Sequence, residues 1–87
     1  MRMRIRKPKP GEMVILTGLP AGFLDDLPTE DQLAISKVVG KRVRLEGYDA
    51  DGRAELMFRD AEGILHTIWV RQSFVKSPQK SGRAMSG

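Results

Sequence analysis

The chain has 87 residues, 40% of them hydrophobic, with no cysteine, one histidine and a formal net charge of +4. That length allows one small domain, and the apolar fraction suits a globular fold rather than a disordered chain. Without cysteine there is no disulfide scaffold, thiolate metal site or cysteine nucleophile, and a single histidine speaks against a zinc site within one chain.

The charge is unevenly placed. Residues 1–10 carry +5 through Arg2, Arg4, Arg6, Lys7 and Lys9, and residues 76–87 carry +3 through Lys76, Lys80 and Arg83. Residues 11–75 carry −4, so the expected folded body is mildly acidic and only the tails are basic. The longest apolar run, Met13-Val14-Ile15-Leu16, is far short of the ~20 residues that span a bilayer. The basic start runs into Pro8, Pro10, Gly11 and Glu12, not into the apolar stretch of a signal peptide. No membrane contact is expected, and the reading is cytoplasmic.

In chain order, residues 1–10 read as a basic, flexible, extended tail, since each proline restricts itself and its predecessor. Met3 and Ile5 alternate with the basic residues there. Glu12 to Thr17 is a first strand, ended by Gly18 and Pro20. Residues 18–28 form a loop anchored by Leu19, Phe23, Leu24 and Leu27. Thr29-Glu30-Asp31-Gln32 has the capping-box pattern, which predicts a helix from Thr29 to about Val39. That helix has Ala34, Ile35 and Val38 on one face and Gly40 just past its end.

A β-meander follows. Arg42–Tyr48 alternates with period 2, and Asp51-Gly52 predicts a two-residue hairpin turn. Arg53–Arg59 alternates again. Asp60-Ala61-Glu62-Gly63 predicts a type I turn closed by a left-handed glycine, and Ile64–Val70 is a fourth strand. Arg71-Gln72-Ser73 reads as a short 3₁₀ break before a last strand, Phe74–Lys76. Residues 77–87 are expected to be a disordered tail. These turns pair Tyr48 with Glu55, Leu45 with Phe58, Phe58 with His66 and Leu56 with Ile68. One face then carries Val43, Leu45, Gly47, Ala54, Leu56, Phe58, Ile64, His66, Ile68 and Val70. The other carries Arg44, Glu46, Tyr48, Glu55, Met57, Arg59, Leu65, Thr67 and Trp69.

Five short strands, a long first connection, two tight hairpins and a break before the last strand resemble an SH3-like β-barrel. The resemblance covers about residues 12–76 and lies in topology. Where signalling SH3 domains carry Ala-Leu-Tyr-Asp-Tyr, this chain reads Met13-Val14-Ile15-Leu16-Thr17, and the paired tryptophans are absent. Proline-peptide binding is therefore not implied. The inserted helix is a further departure, and an OB-like barrel is the alternative fold. The expected architecture is mostly β: a five-stranded SH3-like barrel over residues 11–76, with one short helix between strands 1 and 2.

Several groups invite a functional reading. Tyr48, Met57 and Trp69, with Leu65, form one cluster on the second face. Either the helix and loop cover it as a second small core, or it docks a partner; exposed apolar patches are uncommon on monomers, which favours the covered arrangement. Asp25, Asp26, Glu30 and Asp31 lack the alternating ligands and glycine of a calcium loop. They read as helix capping or, with Phe23, as a docking surface for a basic partner. His66 opposite Phe58 reads as a core histidine. The expectation is a non-enzymatic interaction module without cofactor or metal, a monomer or weak dimer. It would dock a protein partner through Tyr48, Met57, Trp69, Phe23, Asp25 and Asp26. The alternative is nucleic-acid contact through Arg2, Arg4, Arg6, Lys7 and Lys9, although the tails offer no aromatic groups for base stacking.

Overall fold

The computed structural model describes residues 7–78. Arg2, Arg4, Arg6 and most of the expected C-terminal tail lie outside them. The elements are β1 (Met13–Leu16), α1 (Thr29–Val38), β2 (Arg42–Tyr48), β3 (Ala54–Arg59), β4 (Leu65–Val70), a 3₁₀ turn (Gln72–Phe74) and β5 (Val75–Lys76). The strands form one five-stranded antiparallel sheet in the order β4-β3-β2-β1-β5. The mostly-β class and the single helix between the first two strands match the sequence expectation. The expected closed barrel does not form. β5 has two residues and pairs with β1 alone, so it has no length to bridge to β4, and the sheet stays open.

One face of the sheet is buried. Val14, Leu16, Val43, Leu45, Ala54, Leu56, Phe58, Ile68 and Val70 point into the core, where Ala34 and Ile35 of α1 meet them. Leu19, Phe23, Leu24 and Leu27 of the first connection pack around this cluster. Each fully buried leucine there contributes about 1.5–3 kcal/mol relative to an exposed one. The connection itself is a chain of turns, with the N–H groups of Phe23, Asp25 and Leu27 donating to Pro20, Gly22 and Leu24.

Helix α1 starts one residue earlier than a Thr29 cap requires. Pro28 occupies the N-cap position with φ −57° and ψ 151°, and no side chain caps the helix. Proline has no side-chain acceptor to offer, and Gln32 supplies the local tie instead: its Nε2 donates to the Leu27 carbonyl at 2.9 Å. The helix ends as expected, with Gly40 in the left-handed region at φ 86°.

The β3–β4 hairpin has the expected register, including Phe58 opposite His66 and Leu56 opposite Ile68. The β2–β3 hairpin does not. Its loop is the three residues Ala50-Asp51-Gly52, because Asp49 N–H donates to the Arg53 carbonyl and Gly52 N–H to the Asp49 carbonyl. A two-residue type I′ turn needs Asp51 at positive φ, and among the described residues only glycines are there. The Asp49 carboxylate decides the matter by accepting the N–H groups of Asp51 and Arg53 at 2.9 and 2.8 Å. The longer loop shifts the register by one residue, and a bulge at Glu46 shifts it again. Tyr48 therefore pairs with Ala54, whereas Leu45 pairs with Leu56 and Arg44 with Met57. Two single-residue shifts restore the faces beyond the bulge. Between loop and bulge they are inverted, so Tyr48 joins the core side and leaves Met57 and Trp69.

Residues just before β1 extend its pairing. Gly11 N–H donates to the Leu45 carbonyl at 2.8 Å, and Leu45 N–H to the Glu12 carbonyl at 2.9 Å. Tyr48 Oη donates to the Pro8 carbonyl at 2.8 Å, and Lys7 Nζ stands 4.2 Å from the Tyr48 ring centre.

The two glycines of the β2–β3 hairpin should behave in opposite ways. Gly52 has φ 82°, so Gly52→Ala should cost about 1–2 kcal/mol in a urea unfolding curve. Gly47 lies outside the left-handed region with no atom within 4 Å of an added Cβ. Gly47→Ala should be neutral or stabilise by up to about 1 kcal/mol.

Candidate functional site

The side of the sheet away from α1 carries a mixed surface. Met13, Arg44, Met57 and Thr67 lie in register across four strands. Ile15 is flanked by Arg42 and Lys76, Arg59 stands opposite Leu65, and Glu55 opposite Trp69. Trp69 is 44% exposed and Leu65 47%, while Met57 is half-buried. The expectation that the helix covers Trp69 is overturned, because α1 packs on the opposite face through Ala34 and Ile35. Four cations, Arg42, Arg44, Arg59 and Lys76, share this outer face with Glu55 and with Glu46, which pairs with Arg44 at 2.8 Å. The face is thus net positive on a body that is net negative.

A groove of about 390 Å³ begins where this face meets the edge of the sheet. One side is the β4 run His66-Thr67-Ile68-Trp69 with Arg53 just before β3, and the other is Phe23, Leu27, Asp31 and Ile35. Of the residues singled out in the sequence, Phe23 and Trp69 thus come together across the groove. Asp25 and Asp26 lie exposed on the same connection. Tyr48 lines a separate cleft of about 450 Å³ with Lys7, Pro8, Gln72 and Val75. Its hydroxyl pKa is raised by burial and by the charge of Glu12. Lys9 donates its backbone N–H to Glu12 at 3.0 Å.

His66 stands between the groove's two walls. Its ring stacks on Phe58, with centroids 5.3 Å apart and planes at 15°. Nε2 lies 2.9 Å from Asp60 Oδ2 in the β3–β4 turn, and Nδ1 lies 3.6 Å from Asp31 Oδ1 in α1. His66 lies on the core-side face as expected but at its margin, partly buried and lining the groove, and the two carboxylates beside it, 29 residues apart, had no mark in the sequence. Nε2 thus joins the hairpin through Asp60, while Nδ1 faces the helix carboxylate at a distance too long for a hydrogen bond. Among the described residues no three His, Cys, Asp or Glu side chains are grouped to hold a metal ion. Among them, too, no helix is long and apolar enough to cross a membrane. Compared with known proteins, the chain matches no family model, no curated protein and no solved structure.

The Asp60 carboxylate is held below its ordinary pKa by the hydrogen bond from His66, then by the N–H groups of Ile64 and Glu62, against a smaller opposing effect of burial. A depressed carboxylate stabilises the fold above its unfolded pKa of about 3.9 and loses that contribution as pH falls through the lower folded value. Asp60→Asn should therefore flatten the acid limb of a stability–pH profile below about pH 4. Urea unfolding of both proteins across the acid range reads the difference. An unchanged acid limb would mean that the Asp60 contacts add nothing to folding.

Proposed function

We propose that this domain is a non-enzymatic docking module that binds an acidic, partly apolar protein surface through the outer face of β2, β3 and β4. The observation that carries the reading is the exposure of Trp69 and Leu65 beside Met57, on a face the helix leaves open. Exposed tryptophan and arginine are the residue types that dominate protein interfaces. Arg42, Arg44, Arg59 and Lys76 give the face a charge opposite to that of the body, which steers an acidic partner towards it. The strand order, the long first connection and the turn before β5 support an SH3-like topology for the module, in open form.

Capture from native cell extract tests this, with each variant compared against wild type. Met57→Glu and Arg44→Glu should each lose the captured protein, while Leu33→Ala, on the exposed side of α1, should keep it. Trp69→Ala should also lose it, at a stability cost below about 1.5 kcal/mol because the ring is already half in water. Capture that disappears on nuclease treatment and falls steeply with salt would instead assign the face to nucleic acid. Capture that survives Met57→Glu and Arg44→Glu would overturn the reading.

A further inference from the structure

The free edge of β4 has the form of a receptor for one more strand. Asp60 N–H donates to the Ile64 carbonyl at 2.9 Å, which fixes the alternation of the β3–β4 ladder. Antiparallel pairs alternate between hydrogen-bonded and non-bonded. His66, Ile68 and Val70 therefore turn their N–H and C=O groups towards β3. Leu65, Thr67 and Trp69 turn theirs outward, where the described residues supply no further strand. The groove beside this edge has the apolar wall Phe23, Leu27 and Ile35. A peptide added to such an edge gains affinity from main-chain hydrogen bonds and specificity from alternate side chains.

The chain itself contains a segment of that description. Met1-Arg2-Met3-Arg4-Ile5-Arg6 alternates apolar and basic residues without a break. As an added strand it would set Met1, Met3 and Ile5 on the apolar wall and Arg2, Arg4 and Arg6 on the side of Trp69 and Glu55. Six extended residues span about 20 Å, the length of β4. Charge agrees close to this edge: Glu55 stands opposite Trp69 and Asp31 lines the groove against Arg53, whereas Arg42, Arg44 and Lys76 of the outer face lie on β2 and β5, away from β4. The segment between Phe23 and Ser36, which builds the facing wall, carries Asp25, Asp26, Glu30 and Asp31 and no basic residue.

A molecule cannot easily serve its own groove. Lys7 is held over Tyr48 on β2, and the added strand would lie three strand spacings away, about 14 Å. Crossing that distance uses roughly four of the six residues and leaves about two to pair. A second copy has no such restriction. We propose that the β4 edge and its groove take residues 1–6 of a second copy of this chain as a sixth strand, making a dimer by strand exchange.

Sedimentation of the full chain at low salt over a wide range of concentration tests the proposal, together with amide exchange. A dimer should appear as concentration rises, with protection of the Leu65, Thr67 and Trp69 amides that disappears on dilution. Reversing the charge of the segment (Arg2→Glu, Arg4→Glu and Arg6→Glu together) should weaken the dimer at least about tenfold and leave the circular dichroism spectrum unchanged. Thr67→Pro removes an outward N–H at an edge position where proline is tolerated, and it should also abolish the dimer. If that variant fails to fold, the charge reversal alone decides. Met57→Glu, which interrupts partner docking, should leave the dimer intact, so failure of one reading is separable from failure of the other. A monomer at every concentration would overturn the proposal, whether the three amides exchange freely or are protected by the chain's own segment. A dimer that survives the charge reversal would overturn it as well.

Discussion

Two carboxylates fix the hairpins, and the parity of the sheet follows from them. Asp49 and Asp60 each begin a loop of the form Asp-Ala-acid-Gly, and each accepts two backbone N–H groups across it. Side chains alternate along a strand, so adding one residue to a loop exchanges the two faces of the strand that follows. In the β3–β4 hairpin the loop length suits the apolar pattern directly. In the β2–β3 hairpin it does not: unbroken pairing from Asp49 and Arg53 would set Leu45 opposite Met57. The bulge at Glu46 absorbs the mismatch and sets Leu45 opposite Leu56, both fully buried. Loop and bulge are thus one device. Its by-product is the position of Tyr48, which lies in the inverted stretch and closes over the Pro8 carbonyl.

With parity set, the sheet has one apolar face and a single helix to cover it. α1 is poorly suited to doing so alone, since only Ala34 and Ile35 are buried while Leu33 is 59% exposed. Its N-terminal end is tied by Gln32 to the Leu27 carbonyl, and Asp31 stands 3.6 Å from the His66 ring. The same ring bonds through Nε2 to Asp60, the carboxylate that shapes the second turn. This arrangement leaves the groove between α1 and β4 and exposes the outer face. Both candidate surfaces result from the same choice of which side the helix covers.

Much of this was legible in the sequence. Period-2 alternation gave the limits of β2, and the Asp60–Gly63 turn gave the register of β3 against β4. The first hairpin was misread because Asp51-Gly52 alone suggests a two-residue turn. The correcting signal was present, since Asp49-Ala50-Asp51-Gly52 repeats the chemistry of Asp60-Ala61-Glu62-Gly63. That misreading placed Tyr48 with Met57 and Trp69. Barrel closure was not legible, because it depends on the length over which β5 actually pairs, and apolar pattern does not fix pairing length. The groove joins Phe23 and Leu27 to Ile68 and Trp69, and no local pattern in a sequence encodes a contact across some forty residues.

An open sheet has two edges, and here they are treated differently. β5 is two residues long, contains Lys76 and is followed by Pro78, all devices that discourage a further strand. β4 is six residues long, and its outward-bonding positions are Leu65, Thr67 and Trp69, with neither charge nor proline among them. A long uncharged edge is a standing invitation to pair, and proteins that do not use such an edge blunt or cover it. The same three side chains form the β4 part of the outer face, so backbone donors and exposed apolar groups coincide on one strand. A single charged residue at position 67 would remove the hazard without touching the core, because Thr67 packs on neither wall of the buried face. Among the described residues the chain blunts one edge and leaves the other bare, an asymmetry that supports the interaction surface proposed at β4.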